Sequence, residues 1–148
     1  MAIVGFGFDK INAEKKLNKL PRDSKIESGI NITNVEEDSL KVGTAEGILK
    51  VKYKFSVDYK PGFGVINLEG YLLYMPKESN EKKEIMDEWS KNKKINPNLV
   101  TVFINFILSR VHIKSLELGQ DLGLPPHLPL PHIKPQNEES SKKSEYIG

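Results

Sequence analysis

The strongest pattern in the chain is an alternation of apolar and polar positions between residues 49 and 60. From Leu49 to Tyr59 the apolar positions are Leu49, Val51, Tyr53, Phe55, Val57 and Tyr59, and between them stand Lys50, Lys52, Lys54, Ser56 and Asp58. Period two sends the first set to a buried face and the second to water, as in an antiparallel sheet with one solvated side. Lys60-Pro61-Gly62 breaks the pattern as a turn. Phe63 to Tyr74 then resumes it, with Ile66, Leu68, Gly70, Leu72 and Tyr74 on one face. The pair predicts a β-hairpin with a short loop. Phe6 and Phe8 predict an opening strand, Lys15 to Ser28 a connection, and Gly29 to Glu37, with Ile30 and Ile32 two apart, a further strand.

After Met75-Pro76 the period changes. Lys77 to Lys94 holds six basic and five acidic residues around Ile85, Met86 and Trp89, the pattern of a surface helix with a small apolar foot. Asn96 and Pro97 predict a helix start, as N-cap and first helical residue. Gly123 predicts its stop after Leu122. Such a helix is roughly 37 Å long at the α-helical rise. Four prolines between Leu124 and Ile133 predict an extended segment packed through its leucines, and the polar residues 134–148 read as a disordered tail. The expectation is one α+β domain over residues 1–133: an antiparallel sheet of about four strands, one long packed helix and one shorter charged helix.

The long helix is the unusual element. No charge occurs from Pro97 through Ser109. Thr101, Asn105 and Ser109 form one narrow polar stripe, which leaves an apolar arc of about 240° where a helix lying on a sheet needs little more than about 100°. The surplus must be covered by the charged helix and the Pro-rich segment, by a second copy of the chain, or by a partner. Val100, Ile104, Ile107 and Leu108 are assigned to that surplus face as the protein-binding or oligomer interface. Leaving several such side chains in water is costly, since each Leu or Phe buried is worth about 1.5–3 kcal/mol.

The order of elements resembles the SecB family of export chaperones. Asn67-Leu68-Glu69-Gly70 is similar to the family's strand ending in Ile-Glu-Gly, Pro97-Asn98-Leu99 to its helix entry, and Leu108-Ser109-Arg110 to its Val-Ser-Arg. Leu124-Pro125-Pro126 and Leu128-Pro129-Leu130-Pro131 resemble its Pro-rich ending. The resemblance implies a cytoplasmic homo-oligomer, a dimer of dimers in the family, that holds unfolded polypeptides in apolar grooves without ATP. The family's chaperones are acidic, whereas this chain has a formal net charge of +2, which departs from what handover to a basic export motor needs.

Composition narrows the chemistry. With 148 residues, 38% hydrophobic and 28% charged, the chain suits one domain with a true core. It has no cysteine, which excludes disulfide scaffolds and thiolate chemistry. No 18-residue apolar run occurs and the N-terminus is too short an apolar stretch for a secretory signal. No membrane insertion is therefore expected, and the protein reads as soluble and intracellular. His112, His127 and His132 lack the spacing of a metal site. Gly5-Phe6-Gly7 lacks the glycines and helix of a phosphate loop. No cofactor, metal or enzymatic activity is expected. An alternative role, as a structural part of a ribonucleoprotein such as the ribosome, rests on Lys50, Lys52 and Lys54. At strand spacing they make a ladder of positive charge about 13 Å long for phosphate contact.

Overall fold

The computed structural model describes residues 2–38 and 47–131; the expected tail, His132 and Ile133 lie outside them. Six elements follow in order: β1 (Ala2–Lys15), β2 (Lys25–Glu37), β3 (Leu49–Lys60), β4 (Gly64–Met75), α1 (Ser79–Asn92) and α2 (Pro97–Leu122). The four strands form one antiparallel sheet in the order β1-β4-β3-β2. This is the α+β architecture that the hydrophobic periods predict. The hairpin forms in the expected register, with Tyr59 opposite Gly64 and Leu49 opposite Tyr74.

β2 begins four residues earlier than the sequence indicates. Lys25 to Ser28 were assigned to a connection, but they pair with Lys60 to Val57 of β3. Backbone hydrogen bonding to a long neighbour extends a strand whose own side chains, exposed at Lys25 and Ile26, show no buried period. Strand order was also illegible locally. β1 pairs with β4, the strand farthest from it in sequence, and bulges between Ile3 and Gly5 and between Phe8 and Lys10 adjust its register.

One sheet face carries the core. Leu49, Val51, Tyr53, Phe55, Val57 and Tyr59 of β3 and Ile66, Leu68, Leu72 and Tyr74 of β4 are each at most 1% exposed. The edge strands add half-buried Phe6, Phe8, Ile30 and Ile32. Gly70 of β4 is required by the crowding over the middle of this face. A methyl group there would strike the Gly7 carbonyl oxygen and lie 2.7 Å from the Tyr53 hydroxyl and 3.0 Å from Phe8 Cα. The Tyr53 hydroxyl itself donates a 3.3 Å hydrogen bond to that Gly7 oxygen.

The helices lie on this face, α2 against β4 and β1 and α1 against β2. α2 starts where Asn96 Oδ1 accepts a 2.9 Å hydrogen bond from the Asn98 amide, with Pro97 in its first turn. It stops at Gly123, whose φ of 71° is left-handed. Its buried residues are Phe103, Ile107, Val111, Ser115 and Gly119. Phe103 meets Tyr74 edge-on at 5.0 Å, and Phe106 meets Phe6 at 5.9 Å. After Gly123 the chain folds back. The Leu124 amide donates to the Gly119 carbonyl at 2.7 Å, and the Tyr59 hydroxyl donates to the Pro125 carbonyl at 2.8 Å. α1 is held at its start by Glu81, whose carboxylate accepts from the Tyr74 hydroxyl at 2.6 Å and from the Lys77 amide at 2.9 Å.

Two substitutions test this packing in urea denaturation. Gly70→Ala is expected to cost about 1–3 kcal/mol through overpacking. Ile107→Ala, at a site 0% exposed, is expected to cost about 2–5 kcal/mol through a cavity. A loss below about 0.5 kcal/mol for either would show that the strand crossing or the helix–sheet seam is packed otherwise.

Candidate protein-binding surface

The buried residues of α2 recur at every fourth position. Four residues turn a helix by 400°, so the contact face rotates about 40° with each step along the axis. A side chain that flanks the sheet near Phe103 is thus displaced from it near Ser115. This rotation decides which apolar residues are covered. Val100, Ile104 and Leu108 are half-buried, with Val100 and Leu108 packed on the edge of the core. Ile107 does not belong to an outer surface: it is 0% exposed and sits in the centre of the seam. The assignment of Ile107 to the surplus face is corrected on that ground. A wheel with an uninterrupted apolar arc gives no means of choosing which part of the arc the sheet takes.

The open apolar positions lie elsewhere on the helix. Val102 is 37% exposed and Ile113 68%. They are separated by about three turns and point within about 20° of each other, with the polar Ser109 between them along the same line. Arg110, the neighbour of Ser109, lies over the Phe106 ring at 5.1 Å. Sequence reasoning missed Ile113 because Arg110, Lys114 and Glu117 surround it with charge, which marks the region as an ordinary wet helix face. Only 28% of the most apolar 18-residue stretch of α2 is buried within the subunit. By length and composition the same stretch is apolar enough to cross a membrane, although no uninterrupted apolar run is present. Its central stripe nonetheless packs on the sheet, through Phe103, Ile107 and Val111.

Val102 also lines an open cleft of about 700 Å³ where α1 meets the first turns of α2. Ile85, Ile95 and Leu99 line it with Val102, and Glu84 and Glu88 stand among its polar residues. The cleft thus continues the open apolar side of α2 toward α1.

The opposite face of the sheet carries the lysine ladder, and it is not single-signed. Lys52 Nζ lies 3.6 Å from Glu36, and Lys50 Nζ lies 4.7 Å above the Tyr71 ring. Lys54 stands opposite Glu69 in register, and Glu69 lies 3.9 Å from Lys10. Farther along, Glu27 lies 2.7 Å from Lys60 and 3.4 Å from Lys25. The hydrogen bond from Lys60 holds the Glu27 carboxyl below its usual range. Carboxylates interleaved with the lysines lower the local positive potential that phosphate binding draws on.

Two of the three histidines meet in space. His112 of α2 and His127 of the Pro-rich segment meet, with Nδ1 of the first 2.8 Å from Nε2 of the second. Fifteen residues separate them, so the pairing exists only because the chain folds back after Gly123. No local spacing announces it. Among the described residues no group of three or more His, Asp or Glu side chains is placed to hold a metal ion.

No protein-family model matches the chain, and no curated protein matches it. Among solved structures, the chain is similar to the Mycobacterium tuberculosis Rv1957 SecB-like chaperone, solved in complex with a ChAD peptide from the Rv1956 HigA1 antitoxin. The identity is 13%, the match covers 92% of each chain, and the TM-score is 0.49.

Proposed function

We propose that the chain is a polypeptide-binding protein of the SecB-like holdase type, and that the side of α2 marked by Val102 and Ile113 is covered by another polypeptide when the protein works. The observation that supports this reading is the exposure of Val102 and Ile113, at 37% and 68%, along one side of α2. Ile113 at 68% exposure is the least covered of the large apolar side chains on that helix. Half-buried Ile104 and Leu108 lie on the other flank of the buried stripe, separated from Val102 and Ile113 by Thr101, Asn105 and Ser109, and do not belong to this side. The occupant is an unfolded segment of a client or a second copy of the chain in a cytoplasmic homo-oligomer. Both hide the same side chains from water, and neither consumes a cofactor or ATP.

The short motifs that resemble the SecB family support the reading. Gly70 ends the Asn67-Leu68-Glu69-Gly70 motif, and a methyl group there is excluded by Gly7, Tyr53 and Phe8. Asn96-Pro97 and Gly123 are the two ends of α2. Of these residues Gly70 and Pro97 belong to the shared motifs; the first shapes the sheet and the second starts the helix. The ribonucleoprotein alternative draws no such support, since Lys50 and Lys52 are engaged with Tyr71 and Glu36.

The test is suppression of aggregation of a chemically unfolded client by the purified chain. Wild type is expected to hold the client at stoichiometric amounts, without ATP and with little dependence on salt. Val102→Asp combined with Ile113→Asp is expected to lose at least fivefold of this activity with the fold intact by circular dichroism, because exposed substitutions cost little stability. Full activity in the double variant would refute the assigned surface. Absence of activity in wild type would refute the holdase.

A further inference from the structure

The His112–His127 pair closes a short strap over the core. Leu124, only 5% exposed, roots the strap beneath the hairpin end, and the Pro125 carbonyl is tied to the Tyr59 hydroxyl. Beyond that root His127 packs against the sheet. The His127 ring lies 6.0 Å from the Phe55 ring, and the His112 ring meets Phe55 edge-on at 5.6 Å. Phe55 is 1% exposed. The two imidazoles therefore complete the cover over a large apolar side chain that the strands alone leave open.

We infer that this pair is an acid-released latch: proton uptake by the imidazoles frees the strap beyond Pro125 and uncovers Phe55, while the rooted part of the strap and the sheet stay in place.

The hydrogen bond at 2.8 Å needs one ring nitrogen to donate and the other to accept. With both rings protonated, each facing nitrogen carries a hydrogen and two cations stand in contact, so the bond is lost. A first proton on His112 leaves the bond in place, so release turns on the proton taken up by His127. His127 Nδ1 is buried without a hydrogen-bond partner, so a proton placed there finds no acceptor. Among the described residues the surrounding elements offer no compensating charge. On β3, the neighbours of Phe55 on the same face are Tyr53 and Val57, and opposite it stand Ile30 of β2 and Leu68 of β4. On the strap the neighbours are Pro125, Pro126 and Leu128. On α2, Lys114 is paired with Glu117 at 3.4 Å, Arg110 lies over Phe106, and Ser115 is neutral.

Burial lowers the affinity of His112 for a proton. Burial first, and the charge of His112 second, bring the pKa of His127 down to about 4. An unfolded histidine titrates near 6.5. Between those values the released form binds more protons than the latched form. The stabilisation of the latch by the neutral imidazoles is therefore fully present above pH 6.5 and is lost as the pH falls from 6.5 toward 4.

The chain has no cysteine, so Pro129→Cys in the full-length protein gives a unique position for a nitroxide label on the strap. Its mobility is read by electron paramagnetic resonance from pH 7.5 to pH 4, beside circular dichroism of the same samples. At least a threefold rise in label mobility is expected before any loss of sheet signal. With His127→Phe, which fills the space and takes no proton, the rise is expected to disappear; His127→Leu serves the same purpose if that variant does not fold. Three results would overturn the latch. One is an immobile strap down to pH 4. Another is release that coincides with unfolding. The third is the same release in the His127 variants.

Discussion

Everything in this molecule is arranged around the seam between α2 and the sheet. Phe103 meets Tyr74, and Ile107 and Val111 are fully buried behind it. At the far end Ser115 and Gly119 replace large side chains on the buried line, and the helix and the returning chain come together there. A Cβ at Gly119 would lie 3.5 Å from the Leu124 carbonyl oxygen and 3.8 Å from the Tyr59 hydroxyl. The seam thus narrows from aromatic contact at its start to near-backbone contact at its end. Because the buried stripe recurs every four residues, the helix presents a slowly turning face to the sheet, and apolar side chains outside that stripe are left over.

That surplus links fold to function. A chain of this size can bury one side of a 26-residue helix against four strands, but not an apolar arc wider than the contact. Each exposed Val or Ile carries a penalty of about 1.5–3 kcal/mol relative to burial. The proposed binding role rests on this geometry. The polar groups that are brought together serve packing: Glu81 caps α1 and holds Tyr74, Tyr53 and Tyr59 tie strands and strap, and the two histidines close the strap over Phe55.

Much of this was legible in the sequence, and the boundary of legibility has a physical reason. The hairpin and both ends of α2 are local matters of period, proline and glycine, and the residues that specify them are adjacent in sequence. The pairing of β1 with β4, the early start of β2 and the meeting of His112 with His127 depend on neighbours 15 or more residues away, and no local period encodes them. The proposed binding surface fell between. The excess of apolar surface on α2 was readable from its missing charges, but its location was not. Ile107 was placed outside and lies at the centre. Ile113 passed unnoticed among charged neighbours and is the most open apolar residue of the helix.

The central claim is that another polypeptide covers the Val102–Ile113 side of α2. An environment-sensitive fluorophore attached through Ile113→Cys in this cysteine-free chain reports on that surface directly. The account predicts a blue-shifted emission, either in the purified protein through a second copy or on addition of an unfolded polypeptide, saturating at stoichiometric amounts. Emission characteristic of water under both conditions would contradict it.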